Sequence, residues 1–287
     1  MVLPITGYTQ LAGVIANPIK HSFSPSIHNK GFQELGIDAV YLAFEVSEVE
    51  FPQAIASIKA LNMLGVNLSM PYKHLAMDYM DELSPAGKLI GAINTIMNKN
   101  GRLIGHNTDG IGFMRALSEV SCSPIGKKIT IIGGGGAAVA IIAQAALDGV
   151  AEISVFNRPS VHFLEIQRKL KEISDFTKVP IQLYNLENNK ELNQQISESL
   201  LLVNATSVGM ENSINQSPIQ DFSSITKEHT VVDVIYNPRE TLFLKEAKKR
   251  GATTANGFGM LLYQAAAAFE EWTGKELPIA EVKKIME

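Results

Sequence analysis

Four consecutive glycines, Gly133 to Gly136, lie inside a stretch from Ile129 to Leu147 that carries no charge. The stretch is about as long as a membrane span of ~20 residues, but a spanning helix would hold each glycine at a cost of roughly 1 kcal/mol against alanine. A buried strand, a tight turn and a buried helix account for the same residues, with glycine where a backbone must bend or approach a ligand. Gly133, Gly135 and Ala138 fill the three defined places of G-x-G-x-x-G/A. An apolar strand leads in, a helix leads out, and another strand ends at Asn157-Arg158 roughly 20 residues later, the context such a motif needs. The loop would present backbone N–H groups and a helix N-terminus to a pyrophosphate. Gly133, Gly134, Gly135, Gly136 and Ala137, with Asn157 and Arg158, are therefore candidate cofactor-binding residues. Taken alone, the motif also fits a glycine-rich turn with no ligand.

The chain has 287 residues, 46% of them hydrophobic, enough for two domains with buried cores. Its 25 Lys and Arg against 29 Asp and Glu, a net charge of −4, give no electrostatic basis for gripping nucleic acid. A single cysteine, Cys122, cannot form an internal disulfide, which fits a reducing cytoplasm. No Lys or Arg precedes Lys20, so the basic region of a signal peptide is missing and no membrane partner is expected. The six histidines show no ligand spacing, and no metal is expected.

Short apolar runs alternate with amphipathic segments, the pattern of strands and helices wound into parallel sheets. Leu11–Ala16 reads as a strand, Ser24-Pro25 as the N-cap and first residue of a helix, and Gly36 as its end. Val40–Val46 is a second strand. Ser47 and Glu50 suggest a capping box into a helix ending near Leu61, Leu64–Leu68 a third strand, and Pro71 the opening of a short helix. Ile93–Met97 and Leu103–His106 flank a hairpin signal at Asn98-Lys99-Asn100-Gly101. A helix from about Gly112 to Val120 leads into a second series, with strands at Lys128–Ile132, Glu152–Phe156, Ile181–Leu183, Leu201–Asn204, Thr230–Ile235 and Thr253–Ala255. Helices should fill the intervals, including Ala137–Leu147 and Val161–Ile173. Phe258–Trp272 and Ile279–Met286 are helical by spacing and should pack back on the first half. The expected fold is α/β in two domains: residues 1–112 with 256–287 around a mainly parallel sheet, and residues 113–255 as a Rossmann-like dinucleotide-binding domain.

Polar clusters interrupt the first hundred residues. His21-Ser22-Phe23-Ser24-Pro25 follows a strand and opens a helix, so its hydroxyls either meet a carboxylate or merely cap. Asn67-Leu68-Ser69-Met70-Pro71-Tyr72-Lys73 also stands at a strand end; its lysine is either a surface residue or an acid/base on a first helical turn, where the helix dipole opposes its charge. His74 is a rival for that role. Gly91-Ala92-Ile93-Asn94-Thr95 and Gly105-His106-Asn107-Thr108-Asp109-Gly110 complete the set. Turn chemistry explains each singly and all four together poorly.

These motifs, with Gly13-Val14-Ile15-Ala16-Asn17-Pro18, Asn204-Ala205-Thr206-Ser207-Val208-Gly209-Met210, Asp233-Val234-Ile235-Tyr236-Asn237-Pro238 and Asn256-Gly257-Phe258-Gly259-Met260, resemble the shikimate dehydrogenase family and its quinate/shikimate dehydrogenase relatives over nearly the whole chain. The resemblance implies reversible reduction of 3-dehydroshikimate to shikimate with NADP or NAD, by an N-terminal substrate domain and a C-terminal cofactor domain. It implies Ser22 and Ser24 at the substrate carboxylate, Ser69, Asn94 and Gln264 at ring hydroxyls, Tyr236 near the substrate, and Lys73 with Asp109 at the reacting oxygen. Asn204, Thr206, Gly257 and Met260 would line the nicotinamide side. Ser69 stands where the family usually has threonine. The segment Asn157-Arg158-Pro159-Ser160-Val161-His162 matches neither the NADP nor the NAD pattern, and Val139 replaces a basic residue. Three readings stand: a biosynthetic shikimate dehydrogenase, a quinate/shikimate enzyme of relaxed specificity, and a non-catalytic ligand sensor, against which the presence of both Lys73 and Asp109 counts. A monomer and a homodimer both remain open.

Overall fold

A computed structural model describes residues 4–20 and 22–286. The chain forms two compact α/β units: one takes in the described residues up to Thr108 and those from Leu262, the other Asp109–Leu261. The first unit runs β1 (Gln10–Ala16), α1 (Ser24–Glu34), β2 (Ala39–Glu45), α2 (Phe51–Ala60), β3 (Gly65–Leu68), α3 (Tyr72–Leu75), β4 (Glu82–Leu83), α4 (Pro85–Ile90), β5 (Thr95–Lys99) and β6 (Arg102–His106). Its six-stranded sheet has the order β2-β1-β3-β5-β6-β4. β1 is parallel to β2 and β3, β4 is parallel to β6, and β5 alone runs against its neighbours. Asn100 and Gly101, both at positive φ, close the β5–β6 hairpin in two residues, so the turn expected there forms as a primed type.

The second unit runs α5 (Asp109–Ala116), β7 (Lys128–Ile132), α6 (Gly136–Asp148), β8 (Glu152–Asn157), α7 (Phe163–Thr177), β9 (Ile181–Asn185), α8 (Asn189–Ser197), β10 (Leu201–Asn204), β11 (Thr230–Asp233), α9 (Leu242–Lys249) and β12 (Thr253–Ala255). All six strands are parallel, in the order β12-β11-β10-β7-β8-β9. The strand order reverses between β7 and β10, the switch point at which open α/β sheets bind ligands. The uncharged stretch resolves into β7, the glycine loop and α6, and no helix of the described residues is long and apolar enough to cross a membrane.

The division between units falls inside α10 (Phe258–Thr273), which α11 (Ile279–Met286) follows. From Leu262 onward these helices complete the first unit's core: Leu262, Ala265, Ala266, Phe269, Trp272 and Val282 cluster with Ala12, Val14, Ile27 and Tyr41. Trp272 donates its Nε1–H to the Ile96 carbonyl at 3.0 Å, so its bulk is buried and its polar atom satisfied.

Several local expectations change. Ser24 is the first residue of α1 rather than its cap; Phe23 holds the cap position, and the Ser22 hydroxyl accepts the Ser24 N–H at 3.2 Å. Ser47 bonds the Glu50 carboxylate instead of the backbone, so the capping box does not form. α5 begins at Asp109, ahead of the expected start, because Gly110 is required by close approach to α6: a Cβ there would collide with the Ala140 carbonyl and the Gln144 side chain. β11 stops at Asp233 because that residue's own carboxylate captures the Ile235 N–H at 3.1 Å and turns the chain. α7 begins at Phe163, since a turn on Ser160 takes up Val161 and His162. α4 was not expected; Ser84 caps it by accepting the Gly87 N–H at 3.1 Å.

Candidate functional site

In the first unit the polar motifs meet at the carboxyl ends of β1 and β3. Ser22 and Ser24 follow β1, half-buried, in the turn into α1. Ser69 follows β3; its N–H bonds the Ile15 carbonyl at 3.1 Å, while Met70 accepts the Asn17 N–H at 3.2 Å, drawing the two strand ends together. Lys73 lies half-buried on α3, and its carbonyl accepts the Ile93 N–H at 2.8 Å, which brings it to the segment carrying Asn94. α3 is a single turn, so the dipole expected to oppose the Lys73 charge is small. His74 is exposed and donates from Nδ1 to the Gly91 carbonyl at 2.7 Å, which ties α3 to the segment that follows α4.

A buried network fixes Asn94. Its Oδ1 accepts the Thr108 N–H at 2.8 Å, and its neighbour Thr95 takes a hydrogen bond from Asn67 Nδ2 at 3.0 Å. Asn67 also accepts the Tyr41 hydroxyl at 2.7 Å. Burial pushes the Tyr41 phenol well above its usual range, so it stays a donor. His28 stacks on Tyr41, ring centroids 4.4 Å apart, wholly buried and with neither nitrogen hydrogen-bonded. Burial, partly offset by the Asn67 side chain beside it, lowers the His28 pKa from 6.5 to about 3, so the ring is neutral. Gln264 is half-buried on the part of α10 that belongs to this unit.

In the second unit Gly133 takes φ +120°, and a Cβ there would lie 2.7 Å from the Ala205 carbonyl oxygen. The glycine loop therefore abuts the loop that follows β10, across the switch point. Gly135 and Gly136 face open space, with nothing within 4 Å of a built Cβ. α6 starts without a side-chain cap and without an acidic residue in its first turn, leaving backbone donors for an anion. Ala137 is half-buried on that turn. A dinucleotide's pyrophosphate fits this cradle: open above Gly135 and Gly136, lined by N–H groups, and free of opposing charge. Asn157 ends β8, exposed Arg158 follows it, and the α7 residue Ile166 packs on Gly134. His162, the last residue of the segment that begins at Asn157, holds the Glu165 carboxylate at 2.9 Å.

Asn204 ends β10 fully buried. Its Oδ1 accepts both the Thr206 N–H (3.1 Å) and hydroxyl (2.7 Å), and its Nδ2 reaches Asp233 at 3.0 Å. Gly257 is buried and Met260 half-buried at the start of α10; Tyr236 is 42% exposed beyond β11. Asp109 opens α5, where a carboxylate suits the helix N-terminus. Ser22, Ser24, Ser69, Lys73, Asn94 and Gln264 thus belong to the first unit, and Asp109, Tyr236 and the cofactor candidates to the second. Of the residues behind Asn94 and Asn204, Tyr41, His28 and Thr241 escaped sequence reasoning, while Thr108 and Asp233 stood in its motifs without a role of their own. The one signal for them is a polar type within an otherwise apolar strand or at its end. Among the described residues no group of three or more His, Cys, Asp or Glu could hold a metal ion.

Comparison with known proteins finds two family models on the chain: "Shikimate dehydrogenase substrate binding domain" over residues 14–96 and "Shikimate 5'-dehydrogenase C-terminal domain" over residues 257–287. A shikimate dehydrogenase (NADP(+)) of Listeria monocytogenes is 46% identical over 282 residues, covering 98% of this chain and 97% of the relative. One from Streptococcus pneumoniae is 49% identical over 280 residues, with 98% and 97% covered. The crystal structure of a Listeria monocytogenes shikimate 5-dehydrogenase in complex with shikimate and NAD superposes with a TM-score of 0.97 at 45% identity, over 100% of this chain and 99% of that one.

Proposed function

This chain belongs to the shikimate dehydrogenase family, and on that premise we propose that it interconverts 3-dehydroshikimate and shikimate with NADP(H) in the cytoplasm, with Lys73 as the acid/base and Asp109 as its partner. The observation that carries the reading is the gathering of Ser69, Lys73 and the anchored Asn94 at the carboxyl ends of β1 and β3, in a chain whose other unit has an open, uncapped dinucleotide cradle.

In this reading residues 1–112 with 256–287 form the substrate domain and residues 113–255 the dinucleotide-binding domain, with Gly257 and Met260 lent to the cofactor and Tyr236 to the substrate. Gly133 to Ala137 hold the pyrophosphate, Asn157 and Arg158 the adenosine end, and Asn204, Thr206, Gly257 and Met260 the nicotinamide side. NADPH supplies the hydride when bound. Ser22 and Ser24 donate hydroxyl hydrogen bonds to the substrate carboxylate. Ser69, Asn94 and Gln264 bond ring hydroxyls, and Tyr236 stands beside the ring. Negative charge grows on the C3 oxygen as its carbonyl is reduced; the Lys73 ammonium stabilises that charge and gives the oxygen its proton, and Asp109 orients the lysine. In the oxidative direction Lys73, as the free amine, takes the hydroxyl proton.

Initial rates with shikimate and with quinate, each against NADP+ and NAD+, test the reading. Turnover of shikimate with NADP+ at the highest kcat/KM is expected. Faster turnover of quinate would move the chain to the relaxed-specificity branch, and binding of shikimate without turnover would make it a sensor.

A further inference from the structure

We infer that Asp233 is a positioning residue for the cofactor wall: its carboxylate dictates which way the Asn204 amide points, and through Asn204 it holds the 204–208 turn against the glycine loop. The inference rests on the reading of this unit as a dinucleotide site.

Asp233 is fully buried at the end of β11. It is met by three neutral donors: the Thr241 hydroxyl at 2.7 Å on Oδ2, and the Asn204 Nδ2–H at 3.0 Å and the Ile235 N–H at 3.1 Å on Oδ1. Burial pushes its carboxyl above the usual range, and the hydrogen bonds from Thr241, Ile235 and Asn204 pull against that shift.

A carboxylate only accepts hydrogen bonds. Asn204 must therefore turn its NH2 toward Asp233, and it shares that group with the Val208 carbonyl at 3.2 Å. Its carbonyl oxygen is then forced to the other side, where it takes the Thr206 N–H and hydroxyl. The Thr206 oxygen in turn accepts the Val208 N–H at 3.1 Å. A flipped Asn204 would set its NH2 against the Thr206 N–H and its oxygen against the carboxylate, so one orientation alone satisfies the network. The turn so fixed contains Ala205, the residue on which Gly133 packs. On the far side Thr241 caps α9, accepting the Leu244 N–H at 3.4 Å while its hydroxyl bonds Asp233. Alanine at 233 would remove the acceptor that holds the Asn204 NH2 and leave the amide free to turn either way on that side.

The test is the dissociation constant for NADP+, with KM for NADP+ and for shikimate and the melting temperature, in the wild type, Asp233→Ala, Asn204→Asp and Thr241→Val. Asp233→Ala and Asn204→Asp are each expected to weaken NADP+ binding about tenfold, ~1.4 kcal/mol, with the shikimate KM within about twofold of wild type. Thr241→Val removes the donor on Oδ2, away from Asn204, and should lower the melting temperature while NADP+ affinity stays within about twofold of wild type. That contrast separates the inference from a purely structural role, and Asn204→Asp carries the test where Asp233→Ala does not fold. Wild-type affinity in Asp233→Ala or in Asn204→Asp, equal rises in both KM values, a Thr241→Val protein that loses NADP+ affinity as the others do, or failure of both Asp233→Ala and Asn204→Asp to fold would overturn it. A wild-type chain that binds neither NADP+ nor NAD+ would overturn the dinucleotide reading, and this inference with it.

Discussion

Gly133→Ala is expected to destabilise the second unit, and Gly135→Ala to leave its stability unchanged, although both should lose cofactor affinity. At Gly133 the backbone sits at φ +120°, a conformation that costs an L-residue roughly 1–3 kcal/mol. The new Cβ would also stand 2.7 Å from the Ala205 carbonyl oxygen and 3.0 Å from its carbon, backbone atoms that can yield only by moving the post-β10 loop, for about 1–3 kcal/mol more. At Gly135 the backbone is extended, φ −80° and ψ −175°, and a Cβ meets nothing within 4 Å. That Cβ would instead occupy space open to a pyrophosphate. The sum for Gly133→Ala, about 2–6 kcal/mol, should lower the unit's melting midpoint by about 4–24 °C. Gly135→Ala should melt within about 2 °C of wild type, as a surface substitution does, yet bind NADP+ at least tenfold more weakly. Thermal melting by circular dichroism, with NADP+ titration of each protein, reads both quantities. A Gly133→Ala protein that melts with the wild type, or a Gly135→Ala protein that is equally destabilised, would refute the assignment of one glycine to the fold and the other to the ligand.

Replacing Ser22 or Ser24 by alanine should raise KM for shikimate about tenfold, the loss of one charge-assisted bond of ~1.5 kcal/mol, and leave kcat nearly unchanged; steady-state kinetics would contradict this if kcat alone fell. Arg158→Ala should reduce kcat/KM for NADP+ more than for NAD+, since one or two bonds to a 2′-phosphate are worth ~1.5–3 kcal/mol each and His162 is already engaged by Glu165. A preference for NADP+ above about a thousandfold that survives the change would show that other residues read the 2′ position. His28 makes stability depend on pH. Its folded pKa of about 3 lies below the 6.5 of an unfolded histidine, so between those values the unfolded chain binds the extra proton and stability falls as pH falls, by up to ~1.4 kcal/mol per pH unit. Urea unfolding between about pH 4 and pH 7 should show a shallower slope for His28→Phe; an unchanged slope would mean that the buried ring does not drive the effect.

Much of the fold is legible where one residue type meets one backbone need. Gly133 reads as a forced turn because no other residue tolerates its φ, and Asn100-Gly101 reads as a hairpin for the same reason. Boundaries were lost where a side chain competed with the backbone: Asp233 ended β11 by capturing the Ile235 N–H, and Gly110 hid the start of α5 because its packing against α6 outweighs its poor helix propensity. The outer layer of the candidate site was legible as polar motifs at strand ends. The layer behind it was not, because a contact such as Tyr41 to Asn67 joins positions 26 residues apart, and no local pattern marks which buried hydroxyl meets which amide.

The most direct test of the central claim is single-turnover hydride transfer from shikimate to NADP+ at saturating concentrations of both, followed by the absorbance of the reduced nicotinamide in the wild type and in Lys73→Ala. The account predicts rapid transfer in the wild type and a rate lower by about 10²-fold or more in the variant, the range for loss of a general acid–base group, with both ligands still bound. A wild-type protein that binds both ligands without transfer, or a folded Lys73→Ala protein at the wild-type rate, would contradict it.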